Sequence, residues 1–223
     1  MSSSTHQHQH TAPDAGDATP SEFWEEFYST DTRPWTGNPN EVLVDAITSL
    51  PHVTGTTAAD LGCGSGADAI FLAQQGLRVT AVDISTAALQ HGRESACAAG
   101  VDDRIHWQQA DLDTAFPTGS WDLVTTSYLH SPVDLGRSQI LRKAAAAVNP
   151  GGVLIIIGHD GVPHWNADAP DDFNFPSVDE VLTELNLDGE WTVARRDLVP
   201  ITIGRPDGQE IDRTDSLIVL RRR

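Results

Sequence analysis

Asp60-Leu61-Gly62-Cys63-Gly64-Ser65-Gly66 places a carboxylate and three glycines between a short apolar run and a helix-like run, Ala67 to Gln75. That order predicts strand, tight turn, helix. Glycines let a backbone turn sharply and come close to a ligand, and the helix N-terminus behind them offers unpaired N–H groups. More groups that could do chemistry follow the ends of later apolar runs: Asp83, Asp111, His130 and the pair His159-Asp160. In a parallel sheet these ends share one edge, where ligands bind.

The glycine spacing alone is ambiguous, because Gly62-x-Gly64-x-x-Ala67 also fits the dinucleotide fingerprint. Asp60 tips the reading. It stands just before the first glycine, where a dinucleotide would bring its anionic pyrophosphate. S-adenosylmethionine instead brings an ammonium and a sulfonium, which a carboxylate favours. Asp83 lies about twenty residues past the first glycine, the distance at which a βαβ unit sets a carboxylate on ribose hydroxyls. It could instead cap the next helix, but Ser85 already suits that position. His130 and His159 are candidates for a base or a substrate contact, or are histidines bonded to loop carbonyls. Asp160 could orient a histidine, bind a cationic substrate or cap a turn. Cys63 reads as a small residue in a crowded turn rather than a reactive thiol.

The elements that must position these groups read as follows. Met1 to Pro20 is polar and predicted to be a disordered tail; His6, His8 and His10 in it read as solvated. Residues 21–55 form a helical lid. Ser21 caps a helix from Glu22 to about Ser29, with Glu25 near the capping-box position and Phe23, Trp24, Phe27 and Tyr28 along it. Trp24 and Phe27 pack down, and Tyr28 is a candidate for the pocket side. Arg33 and Trp35 lie in a turn-rich loop, a ligand edge or an anchored turn. Asn38 or Asn40 starts a second helix through Leu50. The domain at 56–223 then alternates: strands Thr56–Leu61, Leu77–Val82, Arg104–Gln109, Trp121–Thr126 and Val153–Ile157, with helices Ala67–Gln75, Thr86–Ala99 and Leu135–Val148 between them. Asn149-Pro150-Gly151-Gly152 breaks the last helix. Asp122 begins its strand, at the wrong edge for a ligand. Val162 to Pro176 reads as a long loop, Ser177 caps a helix to Leu187, and two final strands form a hairpin. The fold class is doubly wound α/β, a mostly parallel seven-stranded sheet ending in an antiparallel hairpin.

Acidic residues outnumber basic ones 32 to 14, a net charge of −18. This argues against nucleic acid and anionic membranes as partners. The sequence has no apolar run long enough to span a bilayer, and no leader is expected. Two cysteines give no disulfide framework and no metal site, so the expected location is the reducing cytoplasm.

Asp60-Leu-Gly-Cys-Gly-Ser-Gly66, Asp83-Ile-Ser85, Ala110-Asp111-Leu112 and Asn149-Pro-Gly-Gly152, in this order, resemble the class I S-adenosylmethionine-dependent methyltransferases. Trp24-x-x-x-Tyr28, Trp35-Thr-Gly-Asn-Pro-Asn40, Tyr128-Leu-His130 and Gly158-His159 are similar to a bacterial small-molecule branch that includes the tellurite-resistance and thiopurine methyltransferases. The resemblance implies S-adenosylmethionine as cofactor and a small-molecule methyl acceptor. It implies that Gly62, Gly64 and Gly66 pass under the methionine part and Asp60 lies near its ammonium. Asp83 would hold the ribose, Ile84 pack on the adenine, and Asp111 and the Leu112 N–H bind the ring. Ser127 would lie near the sulfonium, and Trp35 and Asn38 close over the cofactor. His130 and His159 are the catalytic candidates; Tyr28, Arg33 and Asp160 are on the substrate side. Two other readings stand beside this one: a nicotinamide oxidoreductase on the same fold, and a protein that binds the cofactor without transferring anything.

Overall fold

A computed structural model describes residues 18–30, 37–50, 56–161, 175–204 and 210–223. The elements in chain order are α1 (Pro20–Ser29), α2 (Glu41–Ser49), β1 (Thr57–Leu61), α3 (Ala67–Gln74), β2 (Arg78–Asp83) and α4 (Thr86–Ala99). Then follow β3 (Ile105–Gln109), β4 (Trp121–Ser127), α5 (Arg137–Ala146), β5 (Val148–Asp160), α6 (Val178–Leu185), β6 (Trp191–Gly204) and β7 (Glu210–Arg222). The strands form one sheet in the order β3-β2-β1-β4-β5-β7-β6. The first five are parallel; β7 runs antiparallel beside β5, and β6 pairs antiparallel with β7. This is the doubly wound sheet with a closing hairpin that the alternation predicts. From β1 the chain winds outward to β2 and β3, then returns to start β4 on β1's other side. The crevice at that reversal is where such sheets bind ligands.

Both faces of the sheet are covered, because successive strand residues point to opposite faces. Ala58, Leu123, Ile155 and Val219 pack with Val42, Leu43 and Ala46 of α2 and with Ala69 and Leu72 of α3. Ala59, Leu61, Val124, Leu154 and Ile156 pack with Ile140 and Leu141 of α5 and Val181 and Leu185 of α6. Helix α2 is thus part of the core, and only α1, on α4, keeps the position of a cover.

Three local expectations change. Helix α1 is capped by Thr19, not Ser21: the Glu22 N–H donates to the Thr19 hydroxyl and the Glu22 carboxylate takes the Thr19 N–H at 3.0 Å. Pro20 enters the first turn, where its missing N–H costs nothing. Glu25 is freed for another task, described below. Second, α5 stops at Ala146 and Val148 already pairs with Trp121, so Asn149-Pro-Gly-Gly152 lies within an irregular start of β5. Third, β5 continues past Ile157 to Asp160, because β7 supplies a ladder as far as Thr214. Residues 1–17, Arg33, Trp35 and most of the 162–176 loop lie outside the described residues.

Candidate functional site

The turn after β1 is held by backbone: the Gly62 and Cys63 N–H groups both donate to the Val82 carbonyl, at 2.8 and 3.0 Å. Gly64 has φ +52, and a Cβ there would come within 2.6 Å of the Tyr28 hydroxyl. Only glycine leaves room for α1 to bring Tyr28 onto the turn. Gly62 faces Leu129. Gly66 serves packing: its missing Cβ makes room for the Trp107 indole, which also lies on Gly92. The Cys63 thiol donates to the Gly64 carbonyl, and burial and the Asp83 charge push it up, out of the range of a nucleophile.

Asp83 ends β2 and ties two corners together. One carboxylate oxygen accepts the Gly64 N–H at 2.8 Å, the other the Ser85 N–H at 3.0 Å. Burial still pushes its pKa up, against those bonds. Ser85 caps α4 by accepting the Ala88 N–H. The Ser85 hydroxyl and the Ala87 N–H donate to Glu25, which docks α1 on this corner at an electropositive helix start. Beside it is a depression of about 360 Å³ lined by Ile84, Gln109, Ala110 and Asp111 and roofed by Thr19, Pro20 and Ser21. The sequence reading placed Ile84 and Asp111 here and missed the roof. Both Asp111 oxygens are engaged within their own turn, by the Asp113 N–H and the Thr114 hydroxyl. Leu112 is buried behind it.

Under the turn lies a pair of carboxyls. Asp60 is 1% exposed; one oxygen accepts from the Thr125 hydroxyl at 3.1 Å, and the other is buried with no hydrogen-bond partner. Burial first, and then the charge of Asp68, push it well above the usual carboxylate range. Asp68, in the first turn of α3, is raised too by burial, although the Asn40 N–H at 2.7 Å and the nearby Ser127 hydroxyl stabilise its charge. The sequence reading missed Asp68. It sits among helix residues with no motif around it, and an acidic residue in a first helical turn is common. Asn40, not Asn38, caps α2, and Asn38 is exposed two residues ahead. Two desolvated carboxyls with an orphaned oxygen between glycine turn and strand call for a cation.

The edges of β4, β5 and β7 carry the other half of the site. Tyr128 follows Ser127 with φ +52, an uncommon backbone for a bulky residue. Its hydroxyl donates to Asp215 of β7 at 2.6 Å, and its ring stacks on His159 with centroids 4.3 Å apart. His159 Nδ1 pairs with the other Asp215 oxygen at 2.9 Å, and Arg213 donates to both Asp215 and the Tyr128 hydroxyl. Asp215 is completely buried. Burial alone would raise its pKa; the bonds from His159 and Tyr128 and the Arg213 charge outweigh that and hold it below the usual range.

The two histidines separate sharply. His130 Nε2 accepts the His159 backbone N–H at 3.2 Å, and its ring lies against Phe175. Burial, with help from Arg137 and His159, lowers its pKa to about 3. The imidazole is thereby held neutral, with its Nε2 engaged by the His159 backbone. Asp160 sits across the ladder from Thr214, on the opposite face from His159. Asp122 is indeed remote, taking the Thr56 and Thr57 N–H groups at the amino edge. Among the described residues no helix is long and apolar enough to cross a membrane.

A sequence model described as a methyltransferase domain matches residues 58–152. The chain is 34% identical over 110 residues to a 27-O-demethylrifamycin SV methyltransferase of Amycolatopsis mediterranei, covering 48% of this chain and 40% of that protein. It is 31% identical over 121 residues to a ubiquinone biosynthesis O-methyltransferase of Xanthomonas oryzae, covering 52% and 48%. The chain thus spans about half the length, or less, of these curated relatives. Among solved structures, TehB from Haemophilus influenzae superposes with a TM-score of 0.65 at 17% identity, over 91% of this chain and 67% of that one. The two chains share this fold.

Proposed function

We propose that this chain, whose residues 58–152 match a methyltransferase domain, is a class I S-adenosylmethionine-dependent methyltransferase that transfers a methyl group to a small molecule. The observation that carries the proposal is the orphaned Asp60 oxygen beside Asp68 at the glycine turn. A dinucleotide would bring phosphates to this place and be repelled. The cofactor's ammonium and sulfonium would neutralise the pair. When bound, S-adenosylmethionine supplies a methyl group already activated by its sulfonium.

The chain's own residues then have these tasks. Gly62 and Gly64 let the cofactor's methionine end lie on the turn, with Tyr28 over it. Asp60 and Asp68 hold the positive charges, and Ser127, beside Asp68, lies toward the sulfonium. Asp83 turns from the Gly64 and Ser85 N–H groups to share its oxygens with the ribose. Ile84, Asp111 and the Leu112 N–H take the adenine in the roofed depression. On the same proposal Trp35 and Asn38 belong to the cofactor side and Arg33 and Asp160 to the substrate side. Placing the acceptor in line with the methyl group and excluding water supply most of the rate. His159 is the residue placed to take a proton. An acceptor of small size fits the acidic charge, which speaks against nucleic acid; two free cysteines suit a cytoplasmic home.

The test is to incubate the protein with methyl-labelled S-adenosylmethionine and pools of phenols, thiols, amines and metalloid oxyanions. Label passing to a small acceptor, with S-adenosylhomocysteine released in equal amount, is the expected result. Tight cofactor binding with no transfer to any pool would leave a cofactor-binding protein instead.

A further inference from the structure

The hairpin strand β7 brings a group to the acceptor half that no part of the methyltransferase motif contains. Asp215 is buried completely, and every donor on it comes from the acceptor edge: His159 from β5, Tyr128 from the end of β4, Arg213 from its own strand. We infer that Asp215 is the positioning residue of a His159 general base, and that the acceptor therefore presents a hydroxyl group to the methyl. This inference rests on the methyltransferase reading and adds the acceptor's chemical class.

The argument runs from tautomer to substrate. A carboxylate on Nδ1 takes the Nδ1–H, so the basic lone pair sits on Nε2. The ring is held by stacking contacts with Tyr128, at 4.3 Å, and His130, at 5.6 Å. Among the described residues, the titratable and charged groups near it include Asp215 and Arg213 from β7, and Tyr128 and His130 from the segment after β4, with Arg137 behind His130. The Arg213 charge is spent on Asp215 and the Tyr128 hydroxyl, which leaves the carboxylate anionic and able to support an imidazolium. The cluster is continuous with the cation pocket: Tyr128 follows Ser127, whose hydroxyl faces Asp68.

A thiolate, a neutral amine or a metalloid anion attacks a sulfonium methyl without help. A phenol or alcohol holds its proton at neutral pH and needs a base. In the step proposed, the acceptor O–H bond breaks and its proton goes to His159 Nε2. The pair left on oxygen forms the bond to the methyl carbon, and the old carbon–sulfur bond breaks with its pair going to sulfur. The products are a methyl ether, S-adenosylhomocysteine and an imidazolium held by Asp215, which later loses its proton to water.

Two measurements test this in the full chain. The first needs no acceptor: ring-nitrogen NMR of the histidines at neutral pH, assigned with His159→Gln. The expected state of His159 is the Nδ1–H tautomer, and Asp215→Asn, an isosteric change, should disturb that state while leaving S-adenosylhomocysteine affinity within about threefold. An Nε2–H tautomer in the unaltered protein overturns the inference. The second follows methyl transfer to a series of phenols, from those already ionised at neutral pH to those that are not. Asp215→Asn should slow the un-ionised phenols by roughly a hundredfold and the ionised ones far less, since they need no base. An equal loss across the series would reduce Asp215 to a structural role. Transfer to thiols or amines with none to any hydroxyl would also overturn it. Failure to bind S-adenosylhomocysteine at all would instead strike the methyltransferase reading itself.

Discussion

The two halves of the carboxyl edge are built on different principles. In the half made by β1, β2 and β3, backbone N–H groups hold Asp83 and share in holding Asp111, while Asp60 takes the Thr125 hydroxyl. Asp83 takes N–H groups from Gly64 and Ser85, Asp111 closes its own turn, and the glycine turn hangs on the Val82 carbonyl. In the half made by β4, β5 and β7, side chains hold side chains: Asp215 with His159, Tyr128 and Arg213. The first arrangement depends on local spacing and suits a ligand common to many proteins. The second depends on which strand lies beside β5 and can be changed residue by residue, as an acceptor site must be.

Substitutions can break or sharpen this contrast. The largest effect is expected from Asp83→Ala. It removes the anchor of Gly64 and, on the proposed function, the charge-assisted bonds to ribose, and should weaken cofactor binding by about 3 kcal/mol, more than a hundredfold. Calorimetry checks it; unchanged affinity would take Asp83 out of the site. Next, His159→Gln should cut transfer to hydroxyl acceptors by roughly a hundredfold while cofactor affinity stays, so steady-state kinetics and titration together separate the two halves.

Asp60→Asn should act with opposite signs on binding and stability. Its folded pKa is raised above the unfolded one, so the native state binds more protons, and stability is lost as pH rises from the unfolded carboxylate value toward the folded one. The amide escapes that loss. Melting of the cofactor-free protein at neutral pH should shift upward by a few degrees, while cofactor affinity falls by roughly 2 kcal/mol. A lower melting temperature would mean that Asp60 is not strained by burial.

The smallest effect belongs to His130→Gln. The folded pKa of about 3 lies below the ordinary imidazole value, so the unfolded chain binds the extra proton. Stability from the neutral ring is complete above the unfolded value and lost as pH falls toward 3. The variant should lose about 1 kcal/mol at neutral pH, through a weaker acceptor for the His159 N–H, and show a flatter decline in acid. Denaturant midpoints across the pH range report both. A large loss of transfer with stability intact would return His130 to the chemistry.

What the sequence made legible follows the same division. Helix α4 falls at Thr86–Ala99 as read, with Ser85 capping it, because cap and glycine stop are local signals. The positions of Asp60 and Asp83 were legible because strand, turn and helix fix them within one βαβ unit, and Asp111 because it follows the next strand in the same way. The cap of α1 was misplaced by two residues, since Thr19 and Ser21 both have an acid three or four positions on and only packing of α1 decides. The true length of β5 was hidden, because glycines at 151, 152 and 158 suggest breaks that pairing with β7 overrides. Asp215 could not be read at all, and Tyr128 was legible only as part of the Tyr128-Leu-His130 motif. The bond between them spans 87 residues, and nothing near either announces the other. The same distance made His130 and His159 look alike, although one accepts a backbone N–H and the other faces a carboxylate.

The central claim is that the desolvated carboxyl pair under the glycine turn is there for a sulfonium cofactor. The most direct measurement is calorimetric titration of the protein with S-adenosylmethionine and S-adenosylhomocysteine, with NAD and NADP in parallel. Binding of the first two in the micromolar range, weakened by roughly 2 kcal/mol in Asp60→Asn, with none for the dinucleotides, is the predicted result. Binding of a dinucleotide, with S-adenosylmethionine ignored, would contradict it and make the pair of carboxyls a burden without a ligand.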